Sequence, residues 1–120
     1  MCSRGYTVAF EPYPPNVHQL ERNLSYNVNN NCFDVLDVAL SDSEGHIDFT
    51  SHGHGPGHQT GSISPAGDSI KVRTVSGDEL IAKSDVPSPT VVKIDVEGAE
   101  SLVLDGLENN LSDSSCRLLY

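Results

Sequence analysis

The feature that most constrains the fold of this sequence is a pair of short apolar segments. Each segment ends in a carboxylate and is followed by a helical pattern. Residues 7–11 read Thr-Val-Ala-Phe-Glu, and residues 90–95 read Thr-Val-Val-Lys-Ile-Asp. Runs of this kind are typical of buried strands in parallel sheets. Ligands of such sheets lie beyond the carboxyl ends of the strands, so Glu11 and Asp95 are candidates for a binding site. We expect both carboxylates to lie at the same edge of one sheet.

A helical pattern follows the first of these runs. Pro14 or Pro15 suits the first turn of a helix, where the missing N–H is not needed. An apolar stripe then recurs at intervals of three and four residues, made of Val17, Leu20, Leu24 and Val28. Asparagines from Asn27 onward tolerate left-handed backbone and end the helix. The apolar run at residues 33–40 predicts a second strand, which we expect to end at Leu40 and to lie parallel to the first.

The rest of the sequence continues to alternate strand and helix signals. Residues 47–50 and 70–74 alternate apolar with polar side chains, which predicts two antiparallel strands. Ser76 and Glu79 have the spacing of a capping box and open a short helix. A later stripe predicts another helix and consists of Ala99, Leu102, Val103 and Leu107. Residues 116–120 predict a last strand, so the order is that of an α/β sheet with right-handed crossovers.

Length and charge limit the classes of function. With 120 residues the chain is one domain at most. The formal net charge of −10 argues against nucleic acid and anionic membrane surfaces as partners, because both require a basic footprint. No apolar run approaches the ~20 residues that a membrane-spanning helix needs.

The cysteines give no sign of a disulfide framework. Cys2, Cys32 and Cys116 are scattered and odd in number, and no two of them have C-x-x-C spacing. A disulfide framework or a zinc ribbon is therefore not expected. We expect a reduced, cytoplasmic setting.

Several motifs together resemble the FkbM family of methyltransferases. They are AFEP at residues 9–12, ALSD at 39–42, VSGDEL at 75–80, KIDVEGAE at 93–100 and LDGL at 104–107. KIDVEGAE is the most specific of them, and the order of all five agrees with the family. The resemblance implies a Rossmann-like class I methyltransferase sheet that uses S-adenosylmethionine. It also implies O-methylation of a small-molecule or carbohydrate hydroxyl.

The resemblance also implies roles for individual residues. Glu11 would hold the ribose hydroxyls of the cofactor, and Ala39 and Leu40 would approach its adenine. Relatives of this fold often have an acid beside the adenine amine, but Val38 occupies that position here. Asp95 is the candidate catalytic residue, since it would lie near the methyl sulfonium. It could contact the cofactor, orient the acceptor hydroxyl or bind a metal.

Simpler interpretations of the polar residues stay open. Glu11 could be a solvated acid at a strand end, and Asp95 could form a structural ion pair with Lys93, which we favour over an acid and base pair. His52, His54 and His58 lie in a long Gly/Ser/His-rich loop at residues 51–68. Such a loop lacks the rigid elements of a closed metal site, so we predict no metal there. The loop could cover the cofactor or the acceptor.

Compared with the family, the sequence opens at the second strand of the fold. The first strand, its glycine-rich turn and the C-terminal strands are expected to be absent, so residues 1–120 would form a partial methyltransferase domain. We expect such a chain to be inactive alone. One alternative is a degenerate Rossmann-like module that binds a partner without catalysis. Another is half of a nicotinamide-dependent dehydrogenase, although the KIDVEGAE run does not suit that fold.

Overall fold

The computed structural model describes Cys2 and residues 5–50, 69–96 and 98–119. The chain divides into two compact units, Met1–Ala39 and Leu40–Tyr120. Each unit combines helices with one pair of parallel strands, so the mixed α/β class expected from the sequence is confirmed. In the described residues, no helix is long and apolar enough to cross a membrane.

The first unit is a strand, a helix and a second strand. Strand β1 (Thr7–Phe10) lies parallel to strand β2 (Phe33–Leu36), in a register that runs from Thr7 opposite Phe33 to Phe10 opposite Leu36. Helix α1 (Pro14–Asn27) and a 3₁₀ turn (Asn30–Cys32) connect the two strands. A parallel pair needs a long crossover connection, and α1 supplies it.

Helix α1 forms for the reasons that its sequence predicts. Pro14 and Pro15 occupy the first helical positions, where proline is favoured. Val17 is buried, and the rest of the predicted apolar stripe is half-buried: Leu20, Leu24 and Val28. At the other end the Val28 N–H donates to the Leu24 carbonyl at 2.7 Å, and the chain leaves the helix in an extended conformation at Val28. The left-handed asparagine expected at this end is therefore wrong: among the described residues, the non-glycine residue with a positive φ is Ser84.

The strand expected at residues 33–40 is wrong as a single element. It divides into β2, which ends at Leu36, and β3 (Ala39–Ser41), which belongs to a different sheet. The strand parallel to β1 therefore ends at Leu36 and not at Leu40. Asp37, which is exposed, interrupts the apolar run, and aspartate is disfavoured inside strands.

The second unit contains the expected antiparallel pair. Strand β4 (Gly45–Thr50) and strand β5 (Ser69–Ser76) pair antiparallel from Gly45 opposite Thr74 to Thr50 opposite Ser69. Strand β3 joins the other side of β5, which gives the order β3-β5-β4. The loop predicted at residues 51–68 lies outside the described residues.

Helices and a second parallel pair complete this unit. Helix α2 (Gly77–Ala82) follows β5 directly, and strand β6 (Val91–Lys93) is shorter than the strand expected at residues 90–95. The remaining elements are α3 (Glu100–Gly106), α4 (Glu108–Leu111) and β7 (Arg117–Leu119). Strand β7 lies parallel to β6, with Val92 opposite Leu118.

The buried part of the second unit lies where β5 meets the helices. Val72, Val75, Val103 and Leu107 are each only 4% exposed. Ser76 is buried with them, and its hydroxyl donates to the Gly106 carbonyl at 3.0 Å. The capping box expected at Ser76 is therefore wrong: this residue precedes α2, but its side chain makes no capping bond.

Gly106 brings the end of α3 against β3. A Cβ atom at this position would lie 2.9 Å from the carbonyl carbon of Ser41, and closer still to its oxygen. Real Cβ atoms essentially never approach backbone so closely, so only glycine fits here. The LDGL motif thus contains the residue on which β3 rests.

A disulfide joins Cys2 to Cys32, with 5.5 Å between their Cα atoms. The expectation that the cysteines form no disulfide is therefore wrong for this pair, while Cys116 is free. In a parallel strand pair the amino ends of the two strands lie side by side. Cys2 precedes β1 and Cys32 immediately precedes β2, so the crossover brings together two cysteines that are 30 residues apart.

Candidate functional site

Glu11 lies at the carboxyl end of β1, as the sequence predicts. It is half-buried, and its backbone N–H donates to the Leu36 carbonyl at 3.0 Å, which extends the ladder between β1 and β2. Its Oε1 accepts hydrogen bonds from the Tyr13 N–H at 3.1 Å and from Asn16 Nδ2 at 3.5 Å. In the described part of the chain, no donor contacts Oε2. Among the described residues, the protein thus holds one of the two carboxylate oxygens.

The amino end of α1 is not an anion site. Helices usually begin with several unbonded N–H groups, which bind phosphates. Here Pro14 and Pro15 have no N–H, and the N–H groups of Asn16 and Val17 donate to the Tyr13 carbonyl at 2.9 and 3.0 Å. The Glu11 carboxylate lies at this end of the unit, and the main-chain N–H groups of the first helical turn are either absent or already bonded. This end of the unit therefore suits hydroxyl donors better than phosphate.

A second carboxylate, which the sequence analysis missed, follows β2. Phe10 and Leu36 are paired in register, so Glu11 and Asp37 leave the two parallel strands at the same edge. Asp37 is exposed. The signal that could have found it is the single acid inside the apolar run at residues 33–40. We add Asp37 to the candidate site because ligands of parallel sheets bind at this edge.

Ala39 and Leu40, the predicted adenine contacts, form the start of β3 and are half-buried. Ala39 is the last residue of the first unit and Leu40 is the first residue of the second. The Ser41 carbonyl that follows them packs on Gly106, which fixes this strand within the second unit. Their approach to a ligand held by Glu11 stays a prediction.

Asp95 lies just after β6 and is exposed. The Ile94 N–H donates to the Leu119 carbonyl at 3.5 Å, so the ladder with β7 reaches the residue before Asp95. Gly98 then takes a positive φ of 82°, which turns the chain into α3. That Asp95 and Glu11 lie at one sheet edge stays a prediction, because they belong to different units.

The ion pair favoured from the sequence between Lys93 and Asp95 is not formed. Both side chains are exposed, and the ion pair found in the described part of the chain joins Arg73 to Glu44 at 3.2 Å. Glu97 lies outside the described residues. Both Lys93 and Asp95 can therefore interact with a ligand without first breaking a contact with each other.

Asp78, the acid of the VSGDEL motif, has a structural role. Its carboxylate accepts hydrogen bonds from the backbone N–H groups of Asn109 and Asn110, at 2.8 and 3.2 Å, and from Asn110 Nδ2 at 2.7 Å. It thereby caps α4 from α2. The Asp78 carboxylate is therefore bonded within the protein, and we do not include it in the candidate site.

No group of three metal-ligating side chains occurs among the described residues. The histidines His52, His54 and His58 lie outside them, so the metal prediction for that loop stays untested. A shallow groove of about 530 Å³ lies in the first unit, lined by His18, Glu21, Arg22, Ser25, Phe33, Asp34 and Val35. Neither Glu11 nor Asp37 lines it, so it is separate from the candidate site.

Comparison with known proteins decides the family. The sequence profile of the methyltransferase FkbM domain matches residues 1–120. The chain belongs to the FkbM methyltransferase family. Family membership removes the nicotinamide-dependent dehydrogenase from the alternatives.

Two FkbM relatives show what share of a longer family member this chain spans. The chain is 39% identical over 112 residues to the hexuronic acid methyltransferase AglP of Haloferax volcanii, a match that covers 92% of this chain and 45% of AglP. The crystal structure of methyltransferase FkbM from Methylobacillus flagellatus superposes with a TM-score of 0.62 at 16% identity. That superposition covers 94% of this chain and 24% of the other chain. The chain thus has a mixed α/β fold that resembles part of an FkbM methyltransferase, and it spans less than half the length of either relative.

Proposed function

We propose that this chain contributes the ribose-binding carboxylate and an acceptor-facing carboxylate to an S-adenosylmethionine-dependent methyltransferase. The geometry of Glu11 carries the proposal. Its carboxylate is half-buried at the carboxyl end of a parallel strand, with Oε1 held by two donors and Oε2 contacted by none in the described part of the chain. Such a carboxylate can accept hydrogen bonds from the hydroxyls of a ribose.

The nucleoside part of the cofactor would be held by the residue after β1 and by the segment after β2. Glu11 would hold the ribose hydroxyls, and Ala39 and Leu40 would approach the adenine. Asp37 would accept a hydrogen bond from the adenine amine, since it follows β2 at the same edge as Glu11. When bound, S-adenosylmethionine would supply a methyl group on its sulfonium sulfur, whose methyl carbon is open to in-line attack with the neutral thioether S-adenosylhomocysteine as the leaving group.

Asp95 is proposed as the catalytic carboxylate. An exposed carboxylate at a strand end can accept a hydrogen bond from an acceptor hydroxyl, aim its oxygen and take up its proton as the oxygen attacks. Its negative charge is also compatible with a cationic methyl donor. We propose no metal in this step.

For the acceptor we propose a carbohydrate hydroxyl, and within that class a sugar acid. AglP, which shares 39% of its aligned residues with this chain, is named as a hexuronic acid methyltransferase. Lys93 lies two residues before Asp95, is exposed and pairs with no acid that the structure describes. An ammonium group there could bind the carboxylate of such a sugar while Asp95 contacts the hydroxyl.

The cysteines do not support the cytoplasmic location expected from the sequence. It rested on cysteines that were expected to stay reduced, whereas Cys2 and Cys32 form a disulfide. Disulfides persist chiefly in oxidising compartments.

Two proteins together test the proposed function: the chain itself, and a chimera in which it replaces the matching segment of AglP. Calorimetry with S-adenosylhomocysteine measures binding, and transfer of a labelled methyl group to a hexuronic acid measures activity. Glu11→Ala should weaken binding about tenfold to a hundredfold, because a charge-assisted bond to ribose is lost. Asp95→Ala should lower transfer and leave binding nearly unchanged.

Glu21→Ala is the matched control, since it removes an exposed carboxylate of the same unit outside the candidate site. A folded chimera that binds no S-adenosylhomocysteine would overturn the proposal. Equal effects of Glu11→Ala and Glu21→Ala would remove Glu11 from the site.

A further inference from the structure

The side chain of Asn16 contacts the candidate ribose carboxylate from the first turn of α1. Asn16 is half-buried, and its Nδ2 lies 3.5 Å from Oε1 of Glu11. The Tyr13 N–H reaches the same oxygen at 3.1 Å. Both donors converge on one oxygen, although the carboxylate has two.

This arrangement compensates for the prolines of α1. A helix start usually offers several main-chain N–H groups to a nearby carboxylate. Pro14 and Pro15 remove two of them, and the Asn16 N–H is used by the Tyr13 carbonyl at 2.9 Å. The Asn16 amide therefore supplies a donor that the backbone cannot.

We infer that Asn16 is a positioning residue that acts on the cofactor through Glu11. The inference rests on the proposed function and deepens it. One donor from Tyr13 fixes the distance of the carboxylate but lets its plane rotate. The second donor, from Asn16, holds the same oxygen from the first turn of α1 and so restricts that rotation.

The cost of losing Asn16 follows from side-chain freedom. A glutamate held at one point keeps several rotamers, and a ligand must select one of them on binding. Asn16→Ala should therefore weaken S-adenosylhomocysteine binding about threefold to tenfold. Asn23→Ala is the control on the same helix. Its side chain accepts from Gln19 and does not contact Glu11, so it should change affinity less than twofold.

A double-mutant cycle separates positioning from a general structural role. Asn16→Ala is made in the wild-type chain and in the Glu11→Ala variant, and binding is measured by calorimetry in the chain and in the AglP chimera. If Asn16 acts through Glu11, its substitution costs nothing further once Glu11 is gone. An equal loss in both backgrounds would overturn the inference.

Asn16→Asp supplies an electrostatic test. It places a second carboxylate beside Glu11, so we expect a larger loss of affinity than for Asn16→Ala. Added salt should recover little of that loss, because the two half-buried groups lie closer together than the screening length of about 10 Å at 0.1 M salt. A loss in Asn16→Asp no larger than that in Asn16→Ala would contradict a direct effect on Glu11.

A ligand-free measurement keeps this inference distinct from the proposed function. Three-bond couplings of the Glu11 side chain, measured by NMR in the 120-residue chain, report whether it occupies one rotamer. We expect one rotamer in the wild type and averaged couplings in Asn16→Ala, together with faster exchange of the Tyr13 amide. If the wild type binds no S-adenosylhomocysteine, the proposed function fails, while this comparison still decides the role of Asn16. Equal averaging in both chains would overturn it.

Discussion

The backbone of Gly106 packs against the carbonyl group of Ser41 so closely that no side chain fits between them. This contact joins the end of α3, which follows the KIDVEGAE run, to β3, which carries the ALSD run. Two motifs that are separated by more than fifty residues in the sequence are therefore parts of one packing arrangement.

Gly106→Ala should lower the free energy of unfolding by about 2–3 kcal/mol or more, because backbone must move to admit a methyl group. Gly45→Ala is the matched control in the same unit. Its Cβ would meet Thr74 Oγ1 at 3.4 Å, an ordinary contact. Urea unfolding of both variants measures the difference, and equal stabilities would show that β3 does not rest on Gly106.

Ser84→Gly should stabilise the protein by about 0.5–1 kcal/mol. Ser84 follows α2 with a φ of 61°, a left-handed conformation that glycine adopts without steric cost. Ser101→Gly, inside α3, should do the opposite, because glycine weakens a helix interior. Thermal unfolding of the two variants checks both signs, and destabilisation by Ser84→Gly would contradict the assigned backbone conformation.

Removal of the disulfide should loosen the first unit. A cross-link between residues 30 apart contributes about 3–4 kcal/mol to the free energy of unfolding, because it lowers the entropy of the unfolded chain. The first unit is small and has little other core, since its buried apolar residues in the described part are Val17 and Cys32. Cys32→Ser, or a dithiol reductant, should speed hydrogen exchange of the β1 and β2 amides. Cys116→Ser should leave that exchange unchanged, and full protection of β1 in Cys32→Ser would show that the cross-link is dispensable.

The first unit should also lose stability at high pH. The Tyr6 hydroxyl donates to the Asp34 carboxylate, and this hydrogen bond raises the pKa of Tyr6, with smaller contributions from burial and from the charge of Asp34. A raised pKa stabilises the folded state below the unfolded value of about 10, and that contribution is lost as the pH rises through the folded value.

Tyr6→Phe removes this dependence and serves as the comparison. Wild type and variant should differ most in stability near neutral pH and converge as the pH rises past about 10 and through the raised pKa of Tyr6. Chemical unfolding at several pH values measures the gap. A gap that does not narrow as Tyr6 ionises would mean that this hydrogen bond does not cause the pH dependence of stability.

Features set by neighbouring residues could be predicted from the sequence. The prolines that begin α1, the stripe from Val17 to Val28 and the alternation in β4 and β5 depend on local geometry, and all three are confirmed. Glu11 could be placed at a strand end for the same reason. A strand followed by proline has few other ways to continue.

Features set by distant residues could not be predicted. The division of residues 33–40 at Asp37 depends on β3 pairing with β5, which lies far along the chain. The Ser76 hydroxyl donates to the Gly106 carbonyl and does not cap α2, and sequence spacing cannot predict this contact. The disulfide of Cys2 likewise needs the crossover before its partner comes near. Each of these residues has a sound local interpretation that a tertiary contact replaces.

The prolines around Glu11 have a consequence for the thermodynamics of binding. Pro12, Pro14 and Pro15 leave the segment that carries this carboxylate few backbone conformations even in the unfolded chain. Its main chain therefore has little entropy left to lose when a ligand arrives, and binding there should carry a small ordering cost. The segment should have the same backbone with and without ligand. The affinity for the ligand would then depend on the contacts that Glu11 makes and not on a free-energy cost of ordering the backbone.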